Sequence, residues 1–131
     1  MNVLRRVSLA VLLSACGLLG TGPDDDPAGR YELSLVNGSP APYRIPGSAT
    51  GIKIAGRIVV LTRQKTFQDE VTLQVTTASG MHLVPILRAG TYRHDVPRLT
   101  LHFEDGNVVE GEVDRGTMTF TDGGMDFVLK R

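Results

Sequence analysis

The segment RLTLHFEDGNVVEGEVDRGTMTFTDGGMDFVLK, residues 98–130, alternates apolar and polar side chains in short runs that are separated by turn residues. The apolar positions that share a face within these runs are Leu99, Leu101, Phe103, Met118, Phe120, Met125, Phe127 and Leu129. Such a period of two is typical of half-buried antiparallel strands. The turns contain Asp-Gly pairs at 105–106 and 122–123, which suit tight hairpins because glycine readily adopts positive φ. The segment therefore predicts a meander of short strands.

The same alternation continues towards the N-terminus, in YELSL (31–35), IKIAGRIVVLT (52–62) and VTLQV (71–75). The positions predicted to share a face in the first and last of these runs are Tyr31, Leu33, Leu35, Val71, Leu73 and Val75. Gly56, inside the longest run, predicts a bend or bulge. Short, evenly spaced strands indicate a sandwich or a barrel, and closure removes the free edges of an open sheet. We therefore predict an all-β domain over residues 29–131, a small antiparallel up-and-down barrel of seven to nine strands with its first and last strands as neighbours.

Composition narrows the possible function classes. The chain of 131 residues has 14 basic and 14 acidic residues, and this zero net charge gives no indication of a nucleic-acid partner, which usually requires a basic surplus. Its single cysteine cannot form an internal disulfide. Hydrophobic residues make up 41% of the chain, which is enough for one small core.

The first fifteen residues are typical of an export signal. Arg5 and Arg6 precede the apolar run VSLAVLLSA (7–15), which is too short to span a bilayer of about 30 Å, since that takes about 20 apolar residues. We therefore predict a helical signal peptide over residues 1–15 that is cleaved on export. An arginine pair can also mark twin-arginine export, but the residues around this pair match that signal poorly.

The tetrapeptide Leu13-Ser14-Ala15-Cys16 resembles the lipobox of bacterial lipoproteins. The resemblance implies that the Cys16 thiol receives a diacylglycerol, that cleavage occurs just before Cys16, and that the acylated cysteine anchors the chain to a membrane. In that family an aspartate after the cysteine signals retention at the inner membrane, so Gly17 favours the periplasmic face of the outer membrane, or the cell surface. The alternative is an ordinary signal peptide whose cysteine is incidental.

Residues 16–28 connect this signal to the predicted domain. They contain glycine, proline and the run Asp24-Asp25-Asp26, with no periodicity and little to bury, so we predict a flexible acidic tether. About a dozen extended residues reach roughly 40 Å. The aspartate run could hold a cation, but such runs are more often solvated spacers.

The segments GRYELSLVNGSPAP (29–42), GTYR (90–93) and FVLKR (127–131) resemble small lipocalin-like bacterial lipoproteins. In those proteins a strand ending in Val-Asn-Gly precedes a proline-bearing loop, and a Gly-x-Tyr opens a central strand. The resemblance implies a small antiparallel barrel and no particular activity. Gly29 and Tyr31 stand where lipocalins carry Gly-x-Trp, and the missing tryptophan, together with the short chain, argues against a large ligand cup.

No residue pattern indicates a catalytic, cofactor or metal site. The three histidines, His82, His94 and His102, lack the spacing of zinc ligands, and the sequence has no Gly-x-Ser-x-Gly elbow. Glu110 and Glu112 share a strand face, which would allow acid–base chemistry in a cleft, but exposed carboxylates on a strand usually serve solvation. We therefore predict that the chain is not an enzyme and needs no cofactor.

Two further segments are candidate contact surfaces. GSPAPYRIPGSATG (38–51) is a long loop stiffened by prolines, which either covers one end of the barrel or acts as a lid or contact surface. MHLVPILRAG (81–90) is apolar around Pro85, which predicts an edge strand or a capping loop.

The function expected from these observations is that of a membrane-anchored envelope lipoprotein whose barrel is a binding or interaction module. Its partner would be an envelope protein or a small apolar ligand. The alternative is an envelope enzyme, or an inhibitor of one, with a carboxylate or histidine site. A binding module predicts that any pocket is apolar, with no titratable residue facing inward, whereas an enzyme predicts convergent glutamate, aspartate or histidine side chains in one cleft. A solid core would favour partner binding over ligand carriage.

Overall fold

The computed structural model describes residues 26–48 and 51–131, and within them every regular element is a β-strand. The strands are β1 (Gly29–Val36), β2 (Tyr43–Arg44), β3 (Ile52–Leu61), β4 (Thr66–Thr77), β5 (Gly80–Asp95), β6 (Arg98–Phe103), β7 (Val108–Asp114), β8 (Thr117–Asp122) and β9 (Met125–Lys130). The signal peptide (1–15), Cys16 and most of the tether lie outside the described residues, so the predictions about them stay predictions.

Eight of these strands form a closed antiparallel barrel. Strands β3 to β9 follow one another as a meander, β1 pairs with β9, and β1 also pairs with β3. Because β1 pairs with β3 along Gly29–Glu32 and with β9 along Glu32–Val36, it joins the two ends of the meander. The short β2 pairs with the beginning of β3, outside the closed ring. The predicted all-β up-and-down barrel and the pairing of its first and last strands are confirmed.

The apolar positions of the period-two pattern fill the barrel interior. The buried hydrophobic residues are Tyr31, Val36, Ile54, Val59, Leu61, Phe67, Tyr92, Leu99, Leu101, Phe103, Val109, Val113, Met118, Phe120, Phe127 and Leu129. Phe67 and Phe103 meet edge to face with ring centroids 4.9 Å apart, and Phe120 stacks on Phe127 at 5.4 Å. An eight-stranded barrel is about wide enough for side chains alone to fill it, and these rings occupy that width.

Two β-bulges interrupt the alternation. The register of β3 against β4 shifts between Ile54 and Gly56, which confirms the irregularity predicted at Gly56. A second shift, between Leu33 and Leu35 in β1, leaves Leu35 half-buried and buries Val36 completely. The prediction that Leu35 shares the inner face with Leu33 is therefore wrong, because a bulge moves the side chains beyond it to the opposite face.

Strand β5 begins ten residues earlier than the motif GTYR suggests. It starts at Gly80, and Gly90 lies inside it. The expectation that Gly-x-Tyr opens a strand is therefore wrong. At Gly90 the backbones of β5 and β6 approach so closely that a Cβ on residue 90 would collide with the backbone of His102, and glycine is the residue that permits such an approach.

Residues 26–28, the last of the predicted tether, contact the barrel. The Tyr31 hydroxyl and the Arg131 guanidinium both donate hydrogen bonds to backbone carbonyls of this segment, at 2.6 to 3.1 Å. Arg63, in the β3–β4 turn, forms an ion pair with Asp26 at 3.3 Å. The chain therefore joins the barrel at the end that carries the β3–β4 turn, which we call the proximal end.

Candidate functional site

The long β4–β5 hairpin departs from a plain barrel because it projects beyond the wall. The two strands pair without interruption up to Thr77 and Gly80, which flank the turn between them. The pairing of β5 with β6 stops at Gly90, so the upper part of β5 has a neighbouring strand on one side alone. The β4–β5 turn lies at the far end from the proximal end. We call residues 71–87 the projecting hairpin and residues 81–87 its free edge.

Backbone polar groups line the free edge. The Glu104 N–H donates to the Ala89 carbonyl at 2.9 Å, so the odd-numbered residues of β5 direct their N–H and C=O groups towards β6 and, above it, towards the free edge. The free edge therefore presents the backbone groups of Met81, Leu83 and Leu87 and the carbonyl of Pro85. Proline has no N–H group, and at position 85 that N–H would have pointed outwards, so no hydrogen bond to β4 is lost. Of the two predictions for residues 81–90, an edge strand or a capping loop, the edge strand is confirmed.

Large apolar side chains of the projecting hairpin are exposed on both of its faces. The exposed fractions are 72% for Leu87, 59% for Leu83, 55% for Met81, and 41% for both Val84 and Ile86. No aspartate, glutamate, lysine or arginine occurs between Glu70 and Arg88. Native sheet edges usually carry charged residues that prevent association with other chains, and contiguous apolar surface marks an interaction site. The projecting hairpin is therefore the strongest candidate for a binding surface.

The inner face of the projecting hairpin continues the barrel core. Its facing pairs are Val71↔Ile86, Leu73↔Val84 and Val75↔His82. Val71 and Leu73 are half-buried against the core cluster, and Ile52 and Ile54 of β3 extend the same face on the other side of β4. This row is apolar except for His82. It therefore offers an apolar surface at the barrel mouth.

The loop that follows β1 covers part of this mouth. Tyr43 and Ile45 pack against the core cluster, and Asn37 Nδ2 donates a hydrogen bond to the Tyr43 hydroxyl at 2.9 Å. Of the roles predicted for residues 38–51, these contacts support the covering of one end of the barrel. Residues 49–50 of this loop lie outside the described part of the chain.

A surface groove of about 420 Å³ lies where the free edge meets the β6–β7 turn. It is lined by Leu87 and Ala89 of β5 and by Glu104 and Asp105 of the turn, among others. The groove exists because β6 ends at Phe103 while β5 continues. An extended segment paired with the free edge would lead into this groove.

Four charged side chains form a network inside the barrel, at the base of the projecting hairpin. Arg57 donates from Nε and Nη2 to the two carboxylate oxygens of Asp69, at 2.9 and 2.8 Å, and from Nη2 to Asp122 at 2.8 Å. Arg88 Nη2 donates to Asp69 and to Asp122, each at 3.1 Å. Arg57 and Asp69 are buried, whereas Arg88 and Asp122 reach the mouth. Two guanidiniums and two carboxylates make the network neutral.

Aromatic rings enclose both guanidiniums of this network. The Arg57 Cζ atom lies 4.7 Å from the centroid of the Phe120 ring and 4.5 Å from that of Phe127. The Arg88 Cζ atom lies 4.2 Å from the centroid of the Phe103 ring. Cation–π contacts of this kind stabilise a desolvated guanidinium. Together the rings and the ion pairs lie across the barrel below the hairpin.

The two convergent carboxylates, Asp69 and Asp122, differ from the expectation that a binding module has no titratable residue facing inward, and both are paired with guanidiniums. Burial alone would raise the pKa of Asp122, but the hydrogen bonds and charges of Arg57 and Arg88 outweigh it and hold the pKa below its usual range. Both carboxylate oxygens of Asp69 accept hydrogen bonds from guanidiniums. The ion pairs tie together β3, β4, β5 and β8, the strands that carry Arg57, Asp69, Arg88 and Asp122.

The residues considered as ligands in the sequence are spread over the barrel. His82 is exposed on the projecting hairpin, His102 is exposed on the outer wall, and His94 is half-buried with its Nε2 atom 3.2 Å from a backbone carbonyl. Glu110 and Glu112 are exposed on the outer wall. Across residues 26–48 and 51–131, no three His, Cys, Asp or Glu side chains are grouped so as to hold a metal ion.

Sequence reasoning missed the charged network, although the pattern contained a signal for it. Beyond the bulge in β3, Arg57 alternates with the inward Val59 and Leu61, and in β4 Asp69 follows the inward Phe67 by two residues. Opposite charges at inward positions of neighbouring strands predict a buried ion pair, because a buried charge needs a partner.

Comparison of the chain with protein-family models, with curated proteins and with solved structures finds no match. In the part of the chain that the structure describes, no helix has the length and hydropathy needed to cross a bilayer.

Proposed function

We propose that this chain is a lipid-anchored envelope lipoprotein of the small lipocalin-like kind, in which a solid barrel presents the projecting hairpin to a protein partner. The proposal rests on the composition of the projecting hairpin, whose 17 residues (71–87) include no aspartate, glutamate, lysine or arginine. It exposes large apolar side chains beyond the barrel wall. Such surface is costly in water, so a covering partner explains its presence.

The filled interior favours a protein partner over a small apolar ligand. Phe120 and Phe127 occupy the barrel together with the Arg57 guanidinium. Below them, Leu99 and Leu101 are buried in the same core. Ligand-carrying barrels need an open apolar cavity of several hundred Å³, whereas aromatic rings, buried aliphatic side chains and a charged network lie in the described interior of this one.

The position of the tether supports a partner on the side away from the membrane. If Cys16 is acylated, Asp26 is the tenth residue after the anchor, a reach of about 35 Å when extended. Asp26 is bound at the proximal end, whereas the β4–β5 turn lies at the opposite end. A bilayer is a poor occupant for the hairpin because unpaired backbone groups at an open sheet edge are not tolerated in hydrocarbon.

Photo-crosslinking in cells that export the chain tests the partner. A photoreactive amino acid in place of Ile86, on the inner face, should give an adduct whose added mass differs from that of the chain itself. The same amino acid in place of Glu110, which is exposed on the outer wall, is the matched control. The additional change Val84→Lys should abolish the Ile86 adduct. Equal adducts at both positions, or adducts with the chain itself alone, would contradict the proposal.

Mass spectrometry of the exported protein tests the anchor. We expect the N-terminal residue to be Cys16 carrying acyl chains, and Cys16→Ser to move the protein out of the membrane fraction. Because an aspartate at the next position signals inner-membrane retention in lipoproteins, Gly17→Asp should shift the protein from the outer to the inner membrane. A bare Cys16 thiol on membrane-bound protein would refute the anchor.

A further inference from the structure

We infer that the free edge of β5 pairs with the free edge of a second copy of this chain, so that two barrels share one continuous sheet. The inference deepens the proposed function and rests on its assignment of the projecting hairpin to binding. It assigns the edge of the hairpin to self-association and leaves the inner face for the partner.

The outward N–H groups of the free edge can all be bound only by another extended strand. The N–H groups of Met81, Leu83 and Leu87 point outwards in one row, and only another strand offers carbonyls at the matching interval. Along the sequence the nearest charged side chains are Glu70 and Arg88, which both lie at the base of the hairpin. With no charge between them, nothing on the edge repels an identical edge.

One antiparallel register gives every outward N–H group of the free edge an acceptor. Residues 81–87 are centred on Val84, and placing Val84 opposite Val84 of the second copy sets Met81 opposite Leu87 and Leu83 opposite Pro85. Met81, Leu83, Pro85 and Leu87 direct their backbone groups into the interface, whereas Val84 does not, so the N–H groups of Met81, Leu83 and Leu87 each meet a carbonyl. Pro85 supplies the acceptor for Leu83.

A shift of two residues breaks this match. Met81 would then lie opposite Ala89, whose carbonyl already accepts the N–H of Glu104 at 2.9 Å. The N–H of Met81 would lose its acceptor, and the second copy would collide with the β6–β7 turn. A shift of two residues in the opposite direction would set Leu87 opposite Ser79, which lies in the β4–β5 turn outside both strands. The register centred on Val84 therefore pairs the outward N–H groups within the strand itself.

The groove beside the free edge fits the same register. Beyond the pair formed by Met81 and Leu87, the second copy's chain continues into its β4–β5 turn, which consists of Ala78 and Ser79. This turn is small and uncharged, and the groove of about 420 Å³ lies at that place. Each copy therefore inserts its hairpin turn into the groove of the other.

The pairing also covers the most exposed apolar side chains. Residues that lie opposite each other in antiparallel strands share a face, so Leu87, which is 72% exposed, packs beside Met81 of the second copy, which is 55% exposed. Seven paired residues on each side extend over about 23 Å. Even with two inserted turns, so short a contact belongs with the weak, transient interfaces, below about 1,200 Å², so we expect a dimer that dissociates on dilution.

Disulfide trapping in the full chain tests the register. In the background Cys16→Ser, which removes the natural thiol, Val84→Cys places two cysteines opposite each other as a non-hydrogen-bonded pair. Their Cα atoms would be about 4.5 Å apart, within the range that a disulfide spans. Mild oxidation should therefore convert most of this variant into a covalent dimer.

Two single-cysteine controls distinguish this register from random collision. His82→Cys lies on the same face of the same strand, but its two copies would be four residues, about 13 Å, apart. Val108→Cys replaces a side chain that is 51% exposed on β7. Both should form at least tenfold less covalent dimer than Val84→Cys under the same oxidation. Equal yields from all three variants, or no dimer from Val84→Cys while circular dichroism shows it folded, would overturn the inference.

Light scattering on the chain without introduced cysteines gives an independent measurement. The full chain with Cys16→Ser should have a mass that rises from that of one copy towards that of two as concentration increases. Leu83→Pro removes one outward N–H without touching the β4 pairing and should raise the dissociation constant at least tenfold. A mass of one copy at all concentrations would overturn the inference. The same result would leave the proposed function intact if the photoreactive residue at position 86 still crosslinks to a different protein. The self-association and the proposed function can therefore fail separately.

Discussion

Replacing Arg57 by methionine tests the structural role of the charged network. The change removes three hydrogen bonds from a buried guanidinium, two to Asp69 at 2.9 and 2.8 Å and one to Asp122 at 2.8 Å. Asp69 is 1% exposed, and its remaining partner is Arg88 at 3.1 Å. Methionine occupies much of the same volume, so the expected effect is electrostatic rather than a cavity.

The magnitude follows from the burial of Asp69. Removing one partner from a buried ion pair costs about 3–5 kcal/mol, because the remaining charge loses its compensation. A domain of this size is stable by about 5–15 kcal/mol, so Arg57→Met should remove a large fraction of the free energy of unfolding. With a denaturant dependence of about 2 kcal/mol per molar urea, the unfolding midpoint should fall by about 2 M.

Urea unfolding followed by circular dichroism is the assay, since the chain has no tryptophan. The double variant Arg57→Met/Asp69→Leu is the decisive comparison. It removes both buried charges and leaves Arg88 paired with Asp122 at 3.1 Å, so it should be more stable than Arg57→Met alone. The reasoning fails if Arg57→Met unfolds within about 1 kcal/mol of the natural chain, or if the double variant is no more stable than the single one.

Two further predictions concern acid stability and strand packing. Because the folded-state pKa of Asp122 is lowered, its contribution is present at neutral pH and is lost as the pH falls through the ordinary aspartate range and below. Asp122→Asn should therefore flatten the decrease of the urea midpoint between pH 7 and pH 3. Gly90→Ala should lower the melting temperature, by roughly 4–8 °C for each kcal/mol lost, because the added Cβ would collide with the His102 backbone. Gly56→Ala is the control and should leave the melting temperature unchanged, because the space around its Cβ is open. Equal losses in the two variants would contradict this packing.

The barrel could be predicted from the sequence because its strands are short and amphipathic. Leu99, Leu101 and Phe103 alternate with polar residues and are all buried, so a local pattern was enough to place them. The bulge at Gly56 also has a local cause. The bulge in β1 does not, since YELSL alternates regularly and Val36 becomes inward only because of how β1 pairs with β9.

The projecting hairpin could be predicted only in part. Pro85 correctly indicated an edge, but the length of β5 depends on where β6 stops pairing with it, at Gly90. The half-buried Val71 and Leu73 have the same local pattern as residues of the closed wall. A period of two predicts that a strand has an apolar and a polar face. It does not predict whether a neighbouring strand pairs with it along its whole length.

The way in which β1 is held has a mechanical consequence. A pull on the tether would reach the barrel at Asp26 and pass along β1, which pairs with β3 near its start and with β9 up to Val36. Inter-strand hydrogen bonds run across this direction, so tension would load many of them in shear at once instead of peeling them apart singly. A domain tethered through this strand would resist being unravelled by drag far better than one attached through a strand at an open edge.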